Sequence, residues 1–145
     1  MRKRRKMRIL TAVLFAVCLC GTAKAVEIDL TKIMMIESSG NAEAYNPRSG
    51  AIGLHQITPI CLEDYNKVNN THYKPVQMHD PQLGAMVAYW YLNERIPALF
   101  KHYGVSDTVE NRLIAYNAGI KAVLRGVIPK ETANYIRKYN EAVQA

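Results

Sequence analysis

The sequence predicts an all-α domain that follows a separate N-terminal segment. Capping residues, prolines at helix starts and apolar residues three and four positions apart recur along residues 26–145. No stretch shows a convincing two-residue alternation, and no repeat or low-complexity linker divides the chain. We therefore expect one compact, mainly α domain at 26–145, with room for a minor β excursion in one loop.

Residues 1–25 have the composition of an export signal. Six basic residues among the first eight positions precede an apolar run at 9–20, which is short for a membrane span. A small-residue motif that ends at Ala25 predicts cleavage before Val26. An uncleaved anchor and a lipoprotein cut at Cys20 are the alternatives. The protein is thus expected to be exported, to a periplasm or to the cell exterior.

The positive charge of the chain is concentrated in this leader. The formal charge of +7 arises from 19 basic and 12 acidic residues, and seven of the basic residues but none of the acidic ones lie in residues 1–25. The remaining chain is formally neutral, which argues against a nucleic-acid partner. It contains one cysteine, Cys61, so no internal disulfide is expected. Cys61 is expected to be a small buried apolar residue.

The first predicted helix begins at a cap formed by Asp29 or Thr31. It is expected to end near Ser38 or Ser39, because Gly40 suits the position after a helix end. The turn-rich residues that follow are expected to form a loop up to position 49.

A second helix is predicted where Thr58 can act as the N-cap and Pro59 occupies the first helical position. It is expected to continue to about Tyr65. The polar residues 66–79 are expected to form a loop.

The longest helix is predicted at 82–96, after another cap-and-proline pair. It is apolar on most sides, with Met86 and Tyr89 included, so we expect it to form the centre of the core. Pro97 is expected to interrupt it, and a short helix is expected at 98–103.

Two more helices complete the predicted domain. Ser106 is expected to cap a helix at 107–118, which Gly119 ends. The last helix is expected at 130–143.

One carboxylate continues an apolar helical stripe. Leu30, Ile33 and Met34 share one face of the first helix, and Glu37 lies on that face one turn later. Partial burial favours the protonated form of a carboxyl group. An acid that stays protonated near neutral pH is what the cleavage of a glycosidic bond requires. The alternative is an ordinary glutamate turned into water.

Four motifs stand in a fixed order along the chain. They are Glu37-Ser38, Gly50-Ala51-Ile52-Gly53-Leu54-His55-Gln56, Ala115-Tyr116-Asn117-Ala118-Gly119 and Glu131-Thr132-Ala133-Asn134-Tyr135-Ile136. In this order the chain resembles the soluble lytic transglycosylases, whose catalytic domain has a goose-type lysozyme fold. The resemblance implies a mainly α, lysozyme-like domain that acts on peptidoglycan glycan strands without a cofactor.

The resemblance assigns the catalytic role to Glu37. It implies that Glu37 protonates the glycosidic oxygen between N-acetylmuramic acid and N-acetylglucosamine. The same carboxylate would then act as base on the muramic acid C6 hydroxyl, which closes a 1,6-anhydro ring. One residue can serve both steps because it leaves the first step deprotonated, whereas ordinary glycosidases use two carboxylates.

The resemblance also implies a set of residues that bind or position the substrate. They are Asn46, Gln56, Tyr116, Asn117, Glu131 and Tyr135. Tyr135 would donate its hydroxyl to Glu37 after proton loss, which stabilises the carboxylate. For Gln56 and Tyr116 a purely structural role is the alternative. Asn46 stands where the family often has a serine, in a loop one residue longer than the commonest form.

The chain departs from the family pattern at two places. His55 stands where a methionine commonly precedes Gln56, and it would bring a titrating group near the cleft. The central helix keeps Tyr91-Leu92 but lacks the usual Asn-Ile-Gly residues before it, which we interpret as a change of packing.

Three functions remain open on the sequence. The first is a lytic transglycosylase, and the second is a lysozyme-type hydrolase that uses water on the same fold. The third is a non-catalytic peptidoglycan-binding or assembly module, which the intact Glu37 disfavours. The four histidines lack the spacing of metal ligands, so no metal site is expected. A small monomeric domain of this kind suits wall turnover, or service to an envelope-spanning secretion or pilus machine.

Overall fold

The computed structural model describes residues 26–142. The predicted leader and the predicted end of the last helix at 143 lie outside the described residues. The described part forms α1 (Leu30–Ser38), β1 (Tyr45–Asn46), β2 (Ala51–Ile52), α2 (Pro59–Asn69), a 3-10 helix (Pro75–His79), α3 (Pro81–Trp90), a π-helical turn (Tyr91–Arg95), α4 (Ile96–Tyr103), α5 (Val109–Ala118), α6 (Ile120–Arg125) and α7 (Lys130–Glu141). The mainly α prediction and its minor β excursion are confirmed. Among these residues no helix is long and apolar enough to cross a membrane.

Helix α1 begins at Asp29, whose carboxylate accepts a hydrogen bond from the Thr31 amide at 2.9 Å. It ends at Ser38, as predicted. Ser39 takes the left-handed C-cap conformation with φ of 53°, and its amide donates to the Met35 carbonyl. Glu37 therefore occupies the last turn of the helix.

The β excursion is a two-residue antiparallel hairpin in which Tyr45 pairs with Ile52. The chain then turns at Gly53, whose φ is +80°. A β-carbon at this position would collide with the Met78 carbonyl oxygen, so only glycine allows the close approach. Met78 lies in the 3-10 helix, which replaces part of the loop predicted at 66–79.

Helix α2 begins at Thr58 as predicted but runs four residues past Tyr65. Asn66, the first residue of the predicted loop, remains helical. Its side chain forms hydrogen bonds with a residue later in the chain. Its Nδ2 donates to the Tyr73 carbonyl at 2.9 Å, and its Oδ1 accepts from the Tyr73 amide at 3.0 Å. Asn70 ends the helix in the left-handed conformation.

The prediction that Pro97 interrupts the central helix is wrong. Helices α3 and α4 are joined by the π-helical turn, in which the Ile96 amide donates to the Tyr91 carbonyl five residues back. A proline inside an α-helix clashes with the carbonyl four residues earlier. The wider π turn relieves that clash, and Pro97 lies in the first turn of α4.

The central helix is less enclosed than predicted. Val87 and Ala88 are fully buried, but Met86 and Tyr89 are 42% and 43% exposed. Helix α3 packs against α1, α2 and the 3-10 helix, yet the side chains of Met86 and Tyr89 remain open to solvent. The prediction that these two residues belong to the core is therefore wrong.

Two apolar clusters both include residues of the continuous helix that α3, the π-helical turn and α4 form. One, built on α1, α4, α5 and α7, includes Phe100 and Tyr135. The other, built on the hairpin, α2 and α3, includes Cys61 and Trp90. Cys61 is buried as predicted, and burial raises the pKa of its thiol to about 12, so the thiol stays protonated.

The cap of α5 is Thr108, not Ser106. The Thr108 hydroxyl accepts from the Asn111 amide at 3.1 Å. Asp107, expected inside the helix, instead pairs with the guanidinium of Arg112 at 2.6 and 2.7 Å. That bidentate pairing holds Asp107 outside the helical turn.

Helix α6 was not expected from the sequence. Gly119 ends α5, as predicted, and also begins α6. Ile120, Val123 and Leu124 have helical spacing, but the segment is only six residues long and none of its side chains is fully buried. Helix α7 begins at Lys130 as predicted.

Candidate active site

Helices α1 and α7 bring Glu37 and Tyr135 together across 98 positions of the chain. The Tyr135 hydroxyl donates to Glu37 Oε1 at 2.8 Å. Burial raises the pKa of Tyr135, so its hydroxyl remains a proton donor in the hydrogen bond. The last turn of α1 therefore places the Glu37 carboxyl group against the Tyr135 hydroxyl, a hydrogen-bond donor on α7.

The pKa of Glu37 is raised to about 7. Burial is the main cause, because it disfavours the charged form. The hydrogen bond from Tyr135 acts in the opposite direction, and the negative charge of Glu131 raises the pKa further. Near neutral pH a large fraction of Glu37 is therefore protonated and able to donate a proton.

Glu37 lies where two cavities meet. The hairpin-side cavity, about 610 Å³, lies between the β-hairpin, α2 and α5. The α7-side cavity, about 570 Å³, lies between α1 and α7. Glu37, Asn117 and Glu131 line both. The two cavities, which share these three lining residues, are together called the cleft.

The structure brings all the sequence-predicted site residues to this cleft. Asn46, Gln56, Tyr116, Asn117 and Glu131 line the hairpin-side cavity with Glu37. Tyr135 lines the α7-side cavity. These residues differ in their contacts. Some have polar groups that are already hydrogen-bonded within the protein, and others have polar groups that remain accessible.

Gln56 supports the loop in which it lies. Its Nε2 donates to the Gly53 carbonyl at 3.1 Å and to the Ala44 carbonyl at 3.4 Å. Its φ of 51° lies in the left-handed region, which a side-chain-bearing residue adopts only at some cost in energy. The amide nitrogen of Gln56 thus stabilises the loop, and the rest of its side chain lines the hairpin-side cavity.

Asn46 shapes the tip of the hairpin. Its Oδ1 accepts from the Arg48 amide at 3.0 Å and from the Ser49 amide at 3.4 Å. This is an Asx turn, in which a side chain replaces a backbone acceptor. Arg48 and Ser49 consequently line the hairpin-side cavity beside Asn46.

Tyr116 joins α5 to the glycine-rich loop. Its hydroxyl donates to the His55 carbonyl at 2.6 Å, and burial raises its pKa well above the usual value. Its ring packs beside Tyr91, with centroids 6.1 Å apart. The hydroxyl is therefore bonded within the protein, and only the ring is presented to the cavity.

Asn117 joins α5 to α7. Its Oδ1 accepts from the Thr132 hydroxyl at 2.7 Å. Thr132 is buried and lies between Glu131 and Tyr135, so this bond fixes the register in which α7 presents them. Sequence reasoning missed Thr132, although its place inside the fourth motif was the available signal.

Ser38 is a second positioning residue that the sequence did not identify. Its hydroxyl donates to the Leu54 carbonyl at 2.9 Å and to the Met34 carbonyl at 3.2 Å. The serine directly after the acid therefore holds α1 against the glycine-rich loop.

The expectation that His55 places a titrating group near the cleft is wrong. Its side chain is 4% exposed and does not line either cavity. Burial lowers its pKa, so the ring is neutral near pH 7. Within residues 26–142, no group of three or more His, Cys, Asp or Glu side chains is placed to hold a metal ion.

The sequence matches a known family model over most of its length. The model described as transglycosylase SLT domain matches residues 23–139, a span that contains all four motifs and every candidate residue. No curated protein and no solved structure gives a significant match. This family has a lysozyme-like, mainly α fold, which agrees with the observed helices. The chain therefore belongs to the transglycosylase SLT domain family.

Proposed function

We propose that the protein is a lytic transglycosylase that cleaves the MurNAc-β-1,4-GlcNAc bond and leaves 1,6-anhydro-MurNAc ends. Family membership supports an enzyme that acts on peptidoglycan. The observation that carries the proposal is Glu37, an acid with a pKa of about 7 that lies between two cavities and accepts from Tyr135.

In the first step Glu37 acts as general acid. Its proton passes to the glycosidic oxygen, the bond from that oxygen to the muramic acid anomeric carbon breaks, and the N-acetylglucosamine part leaves with a new hydroxyl. Glu37 becomes a carboxylate in a partly buried site. The Tyr135 hydroxyl at 2.8 Å stabilises that charge.

In the second step the same carboxylate acts as base. It removes the proton of the C6 hydroxyl, whose oxygen bonds to the anomeric carbon and closes the anhydro ring. Glu37 regains its proton and no water is consumed. The C6 hydroxyl is held in the complex, so its effective concentration favours it over water.

Asn46, Gln56, Tyr116 and Asn117 support this assignment by lining the hairpin-side cavity. In the proposal Tyr116 contacts a sugar through its ring. Gln56 and Asn46 keep the loop backbone in place.

Hydrolysis is the second candidate, and Glu131 is the observation that favours it. Glu131 lines both cavities with Glu37, and its charge raises the pKa of Glu37. An inverting hydrolase needs a second carboxylate to activate water. In our proposal Glu131 positions substrate instead.

Product analysis distinguishes the two reactions. Mass spectrometry of digested wall should show muropeptides one water lighter than hydrolysis gives, and these should resist borohydride reduction. Glu37→Gln should release neither product, whereas Glu131→Gln should still form anhydro ends. Reducible muramic acid ends as the main product, lost in Glu131→Gln, would establish a hydrolase.

The proposed function requires export, because peptidoglycan lies outside the cytoplasm. The leader at 1–25, cut after Ala25, would provide it. We expect intact-mass analysis of exported protein to find Val26 as the N-terminus, and a retained leader or a lipid on Cys20 would contradict this. Once exported, the protein would act as a monomer in wall turnover or for an envelope-spanning secretion or pilus machine.

A further inference from the structure

Helix α7 presents a row of polar side chains to the α7-side cavity. Lys130, Asn134 and Lys138 follow one another at intervals of four residues, so they share one helical face. All three line the cavity that begins at Glu37. The eight-residue separation of the two lysines corresponds to about 12 Å along the helix.

The two lysines are not engaged by acidic partners within residues 26–142. No carboxylate there lies within 4.0 Å of either ammonium group. Their neighbour Arg137 differs, because it pairs with Glu141 at 2.7 Å and does not line the cavity. The lysines therefore keep their charge and their hydrogen-bond donors available to a ligand.

The excess of positive charge is local to this cavity. Outside the leader the chain is formally neutral, so a pair of lysines beside the acid does not reflect a basic protein. Glu131 contributes one negative charge to the same lining. While Glu37 is protonated, the lining carries two ammonium groups and one carboxylate.

This charge pattern fits one part of the substrate. In the cell wall the lactyl group of muramic acid carries a short peptide with several free carboxylates, whereas the sugar rings are uncharged. Two lysines whose backbone positions lie about 12 Å apart along the helix suit an extended substituent with more than one negative group. The Asn134 amide can both donate to and accept from peptide groups.

We infer that the α7-side cavity binds the peptide carried by muramic acid, with Lys130 and Lys138 contacting its carboxylates. The inference rests on the proposed function and extends it to substrate selection. The enzyme then binds peptide-bearing strands in preference to strands from which the peptides have been removed.

Binding should be measured in a Glu37→Gln background, so that no strand is cleaved. Dissociation constants are compared for soluble strand fragments with peptides and for the same fragments after an amidase has removed them. Replacing both lysines by glutamine should reduce the preference for peptide-bearing fragments about fivefold, as expected for the loss of two exposed ion pairs.

Two controls match this variant. Lys130→Arg with Lys138→Arg keeps both charges and should keep the preference. Lys101→Gln with Lys121→Gln removes two exposed lysines of α4 and α6 that line neither cavity, and should also keep it.

An unchanged preference in the double glutamine variant would overturn the inference. An equal loss of affinity for both fragments would also overturn it, because the lysines would then contact a part of the glycan strand that both fragments share. The proposed function is judged separately, by the anhydro ends that the protein with Glu37 and both lysines intact releases from peptide-bearing wall. Failure of that assay leaves the binding comparison valid.

Discussion

Burial sets the ionisation of Glu37, and ionisation links this residue to stability as well as to turnover. Its pKa rises from 4.5 to about 7 on folding, so the unfolded chain loses this proton at lower pH than the folded protein does. The raised pKa of Glu37 therefore contributes most to the stability of the folded state below pH 4.5. This contribution is lost as the pH rises towards 7.

Glu37→Gln should abolish turnover and leave the fold intact. A loss of at least a thousandfold is expected, in the upper part of the range for a missing general acid. The neutral amide also avoids the buried charge, so at pH 8 the variant should be about 1 kcal/mol more stable than wild type. Zymograms on purified wall and urea melts at pH 4 and pH 8 measure the two effects. Substantial residual turnover would place the acid elsewhere.

Tyr135→Phe tests the donor that faces the acid. Without the hydroxyl the carboxylate form of Glu37 is less stable, so its pKa should rise and the alkaline limb of the pH–rate profile should move to higher pH. The rate at the optimum should fall about ten- to a hundredfold, the value of a hydrogen bond to a charged group. If the alkaline limb of the pH–rate profile does not move, Tyr135 does not influence the pKa of Glu37.

The sequence was most informative about residues whose positions follow helical periodicity. Glu37 could be placed on a buried face because Ile33 and Met34 define that face. The hydrogen bonds of Thr132 and Ser38 could not be placed, because they reach partners on other elements. Such partners depend on tertiary packing, which local pattern does not encode.

At the scale of elements, the register between α5 and α7 rests on the bond from Thr132 to Asn117. Thr132→Val keeps the shape of the side chain but leaves a polar group of Asn117 without its partner. We expect a loss of about 1–3 kcal/mol in the free energy of unfolding, together with reduced turnover. Denaturant melts and zymography measure both. Thr132→Ser is the control, because it retains the hydroxyl and should recover most of each loss.

Helix starts were predicted better than helix ends or irregular turns. Asp29 and Thr58 each act through a local side-chain bond, so the sequence is enough to locate them. The end of α2 depends on bonds from Asn66 to a later loop. The π turn before Pro97 has no local sequence signal comparable to a cap, so the proline alone predicts an interruption there.

At the scale of the whole molecule, Arg112 joins three distant parts of the chain. Its guanidinium pairs with Asp107 and donates to Asn93 Oδ1 at 3.0 Å. The same Asn93 oxygen accepts from the Ile28 amide at 2.9 Å. The start of the described chain, the π turn and α5 are thus held by one buried group.

Arg112→Ala should destabilise the whole domain by about 2–4 kcal/mol, because it leaves the Leu92 carbonyl and part of Asp107 without a partner. Arg137→Ala is the matched control, since its pair with Glu141 is exposed and should be worth less than about 1 kcal/mol. Urea melts of the two variants give the comparison. Equal small losses would mean that the buried network contributes little to stability.

The glycine-rich loop is held by its carbonyl groups. Ser38 from α1 donates to the carbonyl of Leu54, and Tyr116 from α5 donates to the carbonyl of His55. Every residue type offers the same carbonyl, so the anchoring does not depend on which side chain occupies these two positions. The hydrogen bond from Tyr116 therefore holds the loop through the backbone of position 55, and the buried imidazole of His55 takes no part in that anchoring.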